Sequence, residues 1–261
     1  MFKEINFLTA LWKANLLSAM EFRVSFLTQV IGMMLNNGVY FVFWILFFDR
    51  FKEIRGWGLK EMFILFGLVA CGIGLGAFLF GNALRLSDVI ANGELDYFLS
   101  LPRPVLIHTL ASRGQSSNLG DFIYGIVSFL IAGQPTISSF IRFTFGTILA
   151  AIIFLSFMVI VQSMAFWFGH ANLLGGHAMN AIITFSIYPI NLFEGSARFL
   201  LFTLIPAAFV GAIPAEIVTR FTWTNFTYLL IAAAVFLSLA CILFYTGLRR
   251  YESGSAIQVQ S

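Results

Sequence analysis

The side chains of this sequence that could do acid–base or metal chemistry are few and scattered. His170 and His177 stand seven apart, which puts them on one face of a helix. A metal site wants further His or carboxylate ligands beside them. None adjoins them in sequence, so they read as satisfied polar residues near a helix end. Asp121 lies at the edge of an apolar run. A carboxylate there can carry protons, but the expectation is a helix-start acid facing the membrane interface. No HExxH, CxxC or GxSxG occurs. The four lysines, Lys3, Lys13, Lys52 and Lys60, never follow a glycine-rich loop and precede Ser or Thr. A P-loop is therefore excluded, and no cofactor is expected on this chain. Uncharged polar residues inside apolar runs are what remains: Asn36, Asn37, Asn180 and Asn191, with Gln29, Gln162 and His177. They either form a polar seam for an amphipathic substrate or bond helix to helix.

The elements that carry these groups belong in lipid. Of 261 residues, 59% are hydrophobic and 10% charged, and mean hydropathy is +0.91. Soluble domains carry about 25% charged residues. Phe alone contributes 32 residues. A soluble domain of this length could not hide that much apolar surface. Disorder, a coiled-coil rod, a disulfide scaffold and a nucleic-acid-binding domain are excluded. The net charge of +3 is too small to be a footprint for nucleic acid. Cys71 and Cys241 sit inside apolar runs and read as small buried hydrophobes. No secretory signal opens the chain, so its N-terminus is expected to stay in the cytoplasm.

A membrane-spanning helix needs about 20 mostly apolar residues to cross ~30 Å of hydrocarbon. Residues 1–23 interleave Leu8, Leu11 and Leu16 with Lys3, Glu4, Lys13 and Glu21. They read as an amphipathic helix in the interface or against a partner, or as an extension of the first span with snorkelling lysines. Spans are expected at Val24–Phe48, Met62–Asn82, Asn118–Ala132, Phe140–Phe168, Ala171–Phe193 and Phe226–Leu248. The third has only 15 residues and is expected to continue a helix that begins upstream. Gly72 and Gly76 form a GxxxG pair, read as ordinary helix packing. Gly133-Gln134-Pro135 reads as a turn.

Residues 83–118 form a polar loop with helical pieces, broken at Asn92-Gly93 and at Leu101-Pro102-Arg103-Pro104. Residues 194–223 hold a 15-residue apolar stretch with Pro206 in the middle and Pro214 ending it. Glu194 with Arg198 and Glu216 with Arg220, at i, i+4 spacing, flank it. The expectation is two short re-entrant helices between spans five and six. The fold class is thus all-α integral membrane, with six transmembrane helices. Residues 1–23 are the interface helix, 24–250 the transmembrane domain and 251–261 a cytoplasmic tail. With six spans, Lys and Arg divide eight to seven between the two sides, so the positive-inside rule does not orient the chain.

The stretch from Leu86 to Pro104 contains Ile90, Gly93, Leu95, Asp96, Leu99 and Pro102. This "I..G.LD..L..P" pattern resembles the cytoplasmic loop between spans two and three of ABC-2 type transporter permeases, in their six-span bacterial exporter branch. Phe22-Arg23 before the first span and the Pro189, Ile205-Pro206 and Ile213-Pro214 segments are similar to that branch too. The resemblance implies an exporter permease in the bacterial inner membrane, with both termini cytoplasmic. It implies a second permease copy or paralogue and two cytoplasmic ATPase subunits, on which ATP-Mg is bound. It also implies a coupling helix, for which Asp88, Glu94, Leu95, Asp96, Tyr97 and Phe98 are the candidate residues. The acids would meet basic ATPase side chains, and Tyr97 and Phe98 would supply a desolvated anchor. The substrate crosses between permeases, and an amphipathic, lipid-like or drug-like cargo suits the Phe-rich spans. Two other classes compete. A secondary transporter would show inverted repeats, and an intramembrane enzyme would cluster His, Asp, Glu or Ser; neither pattern is visible.

Overall fold

Long apolar runs have no water to satisfy their peptide groups in lipid, so they must close their own hydrogen bonds as helices. The computed structural model describes residues 2–132 and 136–252, and among these the chain is helical without strands. Helix α1 (Phe2–Ala19) passes through a 3-10 turn into α2 (Arg23–Arg50), and α3 (Leu59–Leu79) follows. The polar stretch folds as three short helices, α4 (Leu86–Ala91), α5 (Leu95–Leu99) and α6 (Val105–Ala111). Then come α7 (Asn118–Ile131), α8 (Ile137–Gln162), α9 (Ala165–Phe168) and α10 (Asn172–Ser186). Last are α11 (Gly195–Thr203), α12 (Ala207–Val210), α13 (Ala212–Thr219) and α14 (Trp223–Leu248).

By length and composition, four stretches among the described residues can cross a membrane: Lys3–Arg50, Leu59–Leu79, Ile137–Phe168 and Trp223–Leu248. A fifth arises if the pair Gly195–Thr203 and Ala207–Thr219, bent by 63°, is one span. The expected third and fifth spans are shorter than 20 residues. Helix α7 has 14 residues and α10 has 15, or about 21–22 Å each. Two causes are local. Helix α7 does not continue an upstream helix, because residues 112–117 turn back onto α3: Gln115 N–H donates to Ala77 O at 3.1 Å. Helix α10 stops at Ser186 and not at Phe193, because Pro189 and a 3-10 turn at Ile190–Leu192 interrupt the run. The expected turn at residues 133–135 and the tail beyond Glu252 lie outside the described residues.

Helix α3 is the centre of the packing, with α7 on one side and α8 on another. Gly72 and Gly76 face α8: a Cβ on Gly72 would stand 3.0 Å from the Ala150 Cβ. The tighter approach is elsewhere. A Cβ on Gly125 of α7 would stand 2.4 Å from Gly67 O and 2.6 Å from the Cys71 sulfur. Ser128 donates to Phe63 O at 2.6 Å on the same seam.

Two sets of contacts define the ends of the bundle. At one end Arg55 pairs with Glu194 at 2.6 Å, and Arg220 donates to Gly56 O at 3.3 Å. The segment from Glu194 to Arg220 therefore begins and ends beside the same loop. Its tip reaches inward, where Gly211 leaves space for Ser186 O, 2.0 Å from where a Cβ would be, and Ser186 donates to Ala207 O at 3.2 Å. It holds three helices, not two, and Pro214 sits in the first turn of α13 instead of ending the run. Neither of the flanking i, i+4 acid–base pairs closes on itself: Glu194 bonds Arg55, and Glu216 accepts from Asn225 at 2.9 Å.

At the other end the polar arm, α1, α9 and the end of α14 come together. Helix α1 lies against the arm, using one face. Trp12 donates to Leu79 O at 2.9 Å, Asn15 to Ala111 O at 3.1 Å, and Glu4 pairs with Arg103 at 3.0 Å. The α1 surface of the sequence reading thus covers this chain's own loop.

Candidate functional site

The arm α4–α6 is a built element with its own apolar core. Leu86, Val89, Ile90, Leu95, Phe98, Leu106 and Leu110 are buried together with Val159, Ala165, Ala171, Ala240 and Phe244. This core joins the arm to α8, α9, α10 and α14. The breaks between its helices follow the sequence: Gly93 adopts φ 76°, which favours glycine, and the Pro102–Pro104 segment separates α5 from α6. Helix α5 is thereby two-faced. Leu95 (0% exposed) and Phe98 (7%) point into the core, while Glu94, Tyr97 (64%) and Leu99 (43%) point out.

The candidate coupling residues therefore divide. Phe98 touches the Tyr97 ring edge-on but is buried and does not face outward; its ring also meets His108 edge-on at 5.2 Å and holds α5 onto α6. Asp88 accepts a hydrogen bond from Asn172 at the start of α10 and has Arg85 at 3.9 Å. Asp96 lies beside the Tyr251 hydroxyl, and burial together with that carboxylate pushes the phenol up to about 12. Of the three acids, Glu94 alone is exposed. Arg103 stacks over Phe7 at 3.7 Å, and Phe7 meets His108 edge-on at 5.0 Å. Burial lowers the His108 imidazole from its ordinary value, and Arg103 adds to this against the opposing pull of Glu4.

Gln162, at the last turn of α8, ties the arm to the bundle. Its side chain donates to Leu84 O at 2.7 Å and accepts from Ser87 N–H at 3.3 Å. It also presses on Gly175 of α10, where a Cβ would stand 2.4 Å from its Nε2. Ser87 in turn accepts from Ala171 N–H at 2.8 Å. The root of α4, the end of α8 and the start of α10 are one hydrogen-bonded node. Gln162 was legible as a polar residue in an apolar run. Ser87 and Gly175 carried no signal.

Between α2, α3, α7 and α10 lies a cavity of about 180 Å³. Asn36, Asn37, Tyr40, Phe66, Asn118, Asp121 and Met179 are among its lining. Asp121 is 8% exposed and accepts a short hydrogen bond from Asn37. It does not face the interface as expected, because the turn at 112–117 draws the start of α7 against Gly74 of α3.

A family profile described as ABC-2 family transporter protein matches residues 34–255. The chain belongs to the ABC-2 transporter family. No curated protein and no solved structure matches it. As an ABC-2 chain it is a multi-pass membrane permease of an ABC transporter, of a family that works with an ABC ATPase subunit. The match begins inside α2 and leaves α1 outside.

The four asparagines read as a pathway in this permease do not converge. Asn36 and Asn37 share the cavity. Asn180 is exposed on α10 outside it. Asn191 lines a polar cleft of about 280 Å³ at the opposite end, with Arg55, Glu61, Glu216, Arg220 and Asn225. His170 and His177 are exposed, and among the described residues no three His, Cys, Asp or Glu side chains cluster as metal ligands.

Proposed function

We propose that the chain is the permease subunit of an ATP-driven exporter in the bacterial inner membrane, with the arm α4–α6 as its cytoplasmic coupling element. The observation that carries this reading is the two-faced α5. Its inner face is fixed in the permease core, while Glu94, Tyr97 and Leu99 are presented outward on a rigid platform. Tyr is among the residue types that most often carry the binding energy of a protein interface. Two ATPase subunits would bind two such arms, one from this chain and one from a second copy or paralogue. The apolar outward face of α2, with Leu27, Ile31, Leu35 and Val39 exposed, supports such a partner or lipid beside it.

Six crossings follow from this reading if α7 and α10 traverse the membrane while α11–α13 return. Support comes from the shared end of Gly56, Glu194 and Arg220. Both termini and the arm are then cytoplasmic, and the cleft around Asn191 faces out. An amphipathic, lipid-like or drug-like substrate would cross near the cavity of Asn36, Asn37 and Asp121.

Ser100, exposed at the end of α5, tests the orientation. Ser100→Cys is expected to resist a membrane-impermeant thiol reagent in intact cells and to react in inverted vesicles. Labelling from outside the cell overturns the reading.

A further inference from the structure

The largest cavity described here, about 590 Å³, is a groove on the outside of the bundle between α8 and α14, floored by α13. Its size is that of a small-molecule site. Its lining is apolar and aromatic: Ile141, Phe145, Ile217, Phe226 and the fully buried Leu229. One charge breaks this surface. Arg142 lies over the Phe221 ring at 4.7 Å and, among the described residues, has no carboxylate within ion-pair distance. Ser138, one turn above it, is the other polar side chain in the lining.

The groove is polar at its rim and apolar below. From Ile137 to Gly146 α8 descends about 14 Å, close to half of a ~30 Å hydrocarbon layer. That is the depth of one leaflet. The Arg142 backbone lies midway along it, about 7.5 Å below Ile137, and its side chain lies over Phe221, just before the start of α14; an unpaired guanidinium there is a bidentate donor to phosphate oxygens. No acidic side chain lines the groove to receive an ammonium headgroup.

We infer that this groove binds one anionic phospholipid, its phosphate on Arg142 and an acyl chain along Phe145, Phe226 and Leu229. Placing it in the outer leaflet rests on the orientation proposed above; the binding itself does not. Charge complementarity selects the lipid over a second copy of the chain, whose bundle would have to bring an acid to Arg142.

The test is native mass spectrometry of the purified permease titrated with phosphatidylglycerol or phosphatidylcholine, alongside thermal unfolding in lipid-free detergent. Wild type is expected to take up one phosphatidylglycerol at concentrations that leave phosphatidylcholine unbound. Arg142→Gln is expected to lose about tenfold or more of that affinity, with Arg142→Lys in between and Arg198→Gln unchanged. Equal unfolding midpoints of wild type and Arg142→Gln in detergent show that the charge, and not the fold, was removed. Where Arg142→Gln misfolds, weaker binding to Arg142→Lys carries the same test. Equal uptake of both lipids, phosphatidylglycerol uptake that survives Arg142→Gln, or copies cross-linked through Phe145→Cys would each overturn the site.

Discussion

Gly125→Ala is expected to destabilise the permease by about 2–3 kcal/mol, whereas Gly32→Ala is expected to be neutral or slightly stabilising. The contrast is steric. A Cβ at 125 meets Gly67 O, the Cys71 sulfur and Cys71 N at 2.4, 2.6 and 2.8 Å, and two of those three atoms are backbone. Backbone cannot rotate away, so α7 must lift off α3. That movement would also break the Ser128 bond to Phe63 O and move Asp121 from Asn37. Gly32, on α2, has nothing within 4 Å of its Cβ position. There the exchange for Ala only improves helix propensity, by up to about 1 kcal/mol. Thermal unfolding of the two variants in detergent measures both effects. Equal midpoints would show that the α3–α7 seam is not as tight as these distances require.

Gln162→Met is expected to reduce transport more than tenfold while ATPase binding persists. Methionine keeps the volume but removes both hydrogen bonds, leaving Leu84 O and Ser87 N–H buried without the partner they have now. Each such loss costs about 1–3 kcal/mol. The cost falls where α4 meets α8 and α10, so motion of the arm would no longer be passed to α10, whose Met179 and Ile183 line the central cavity. Gly175→Ala approaches the same node from the other side, because its Cβ would displace the Gln162 amide. It is expected to give a milder form of the same defect. The diagnostic quantity is substrate moved per ATP hydrolysed in proteoliposomes. A purely structural defect lowers both together and leaves the ratio unchanged, and that outcome would contradict the coupling role.

The same residues show which features were readable in the sequence. The arm was readable in detail because Gly93 and the Pro102–Pro104 pair are chain breaks that act locally. The long helices were readable because lipid demands length and apolarity, and α2, α3, α8 and α14 have both. Helix α7 begins at Asn118 as read, but it does not continue an upstream helix, because what ends the arm is a tertiary contact of Gln115 with Ala77, not a local signal. Asp121 was misjudged for the same reason. Its burial depends on Gly74, 47 residues away in sequence, leaving room for it. Phe98 and Tyr97 are adjacent aromatics of equal promise until the fold buries Phe98 and leaves Tyr97 exposed. The Gly72/Gly76 motif was visible, yet α3 is approached more closely at Gly67 by Gly125 of α7, and these two form no local motif.

The central claim is that the outward face of α5 meets an ABC ATPase. A photo-reactive amino acid placed at single positions of α5, in cells that make the permease with its ATPase, tests this most directly. The account predicts a covalent adduct with the ATPase from position 97, a weaker one from 94, and none from 95 or 98, whose side chains face the permease core. An ATPase adduct from 95 or 98 with none from 97 would contradict it, as would no ATPase adduct from any α5 position in a transporter shown to be active.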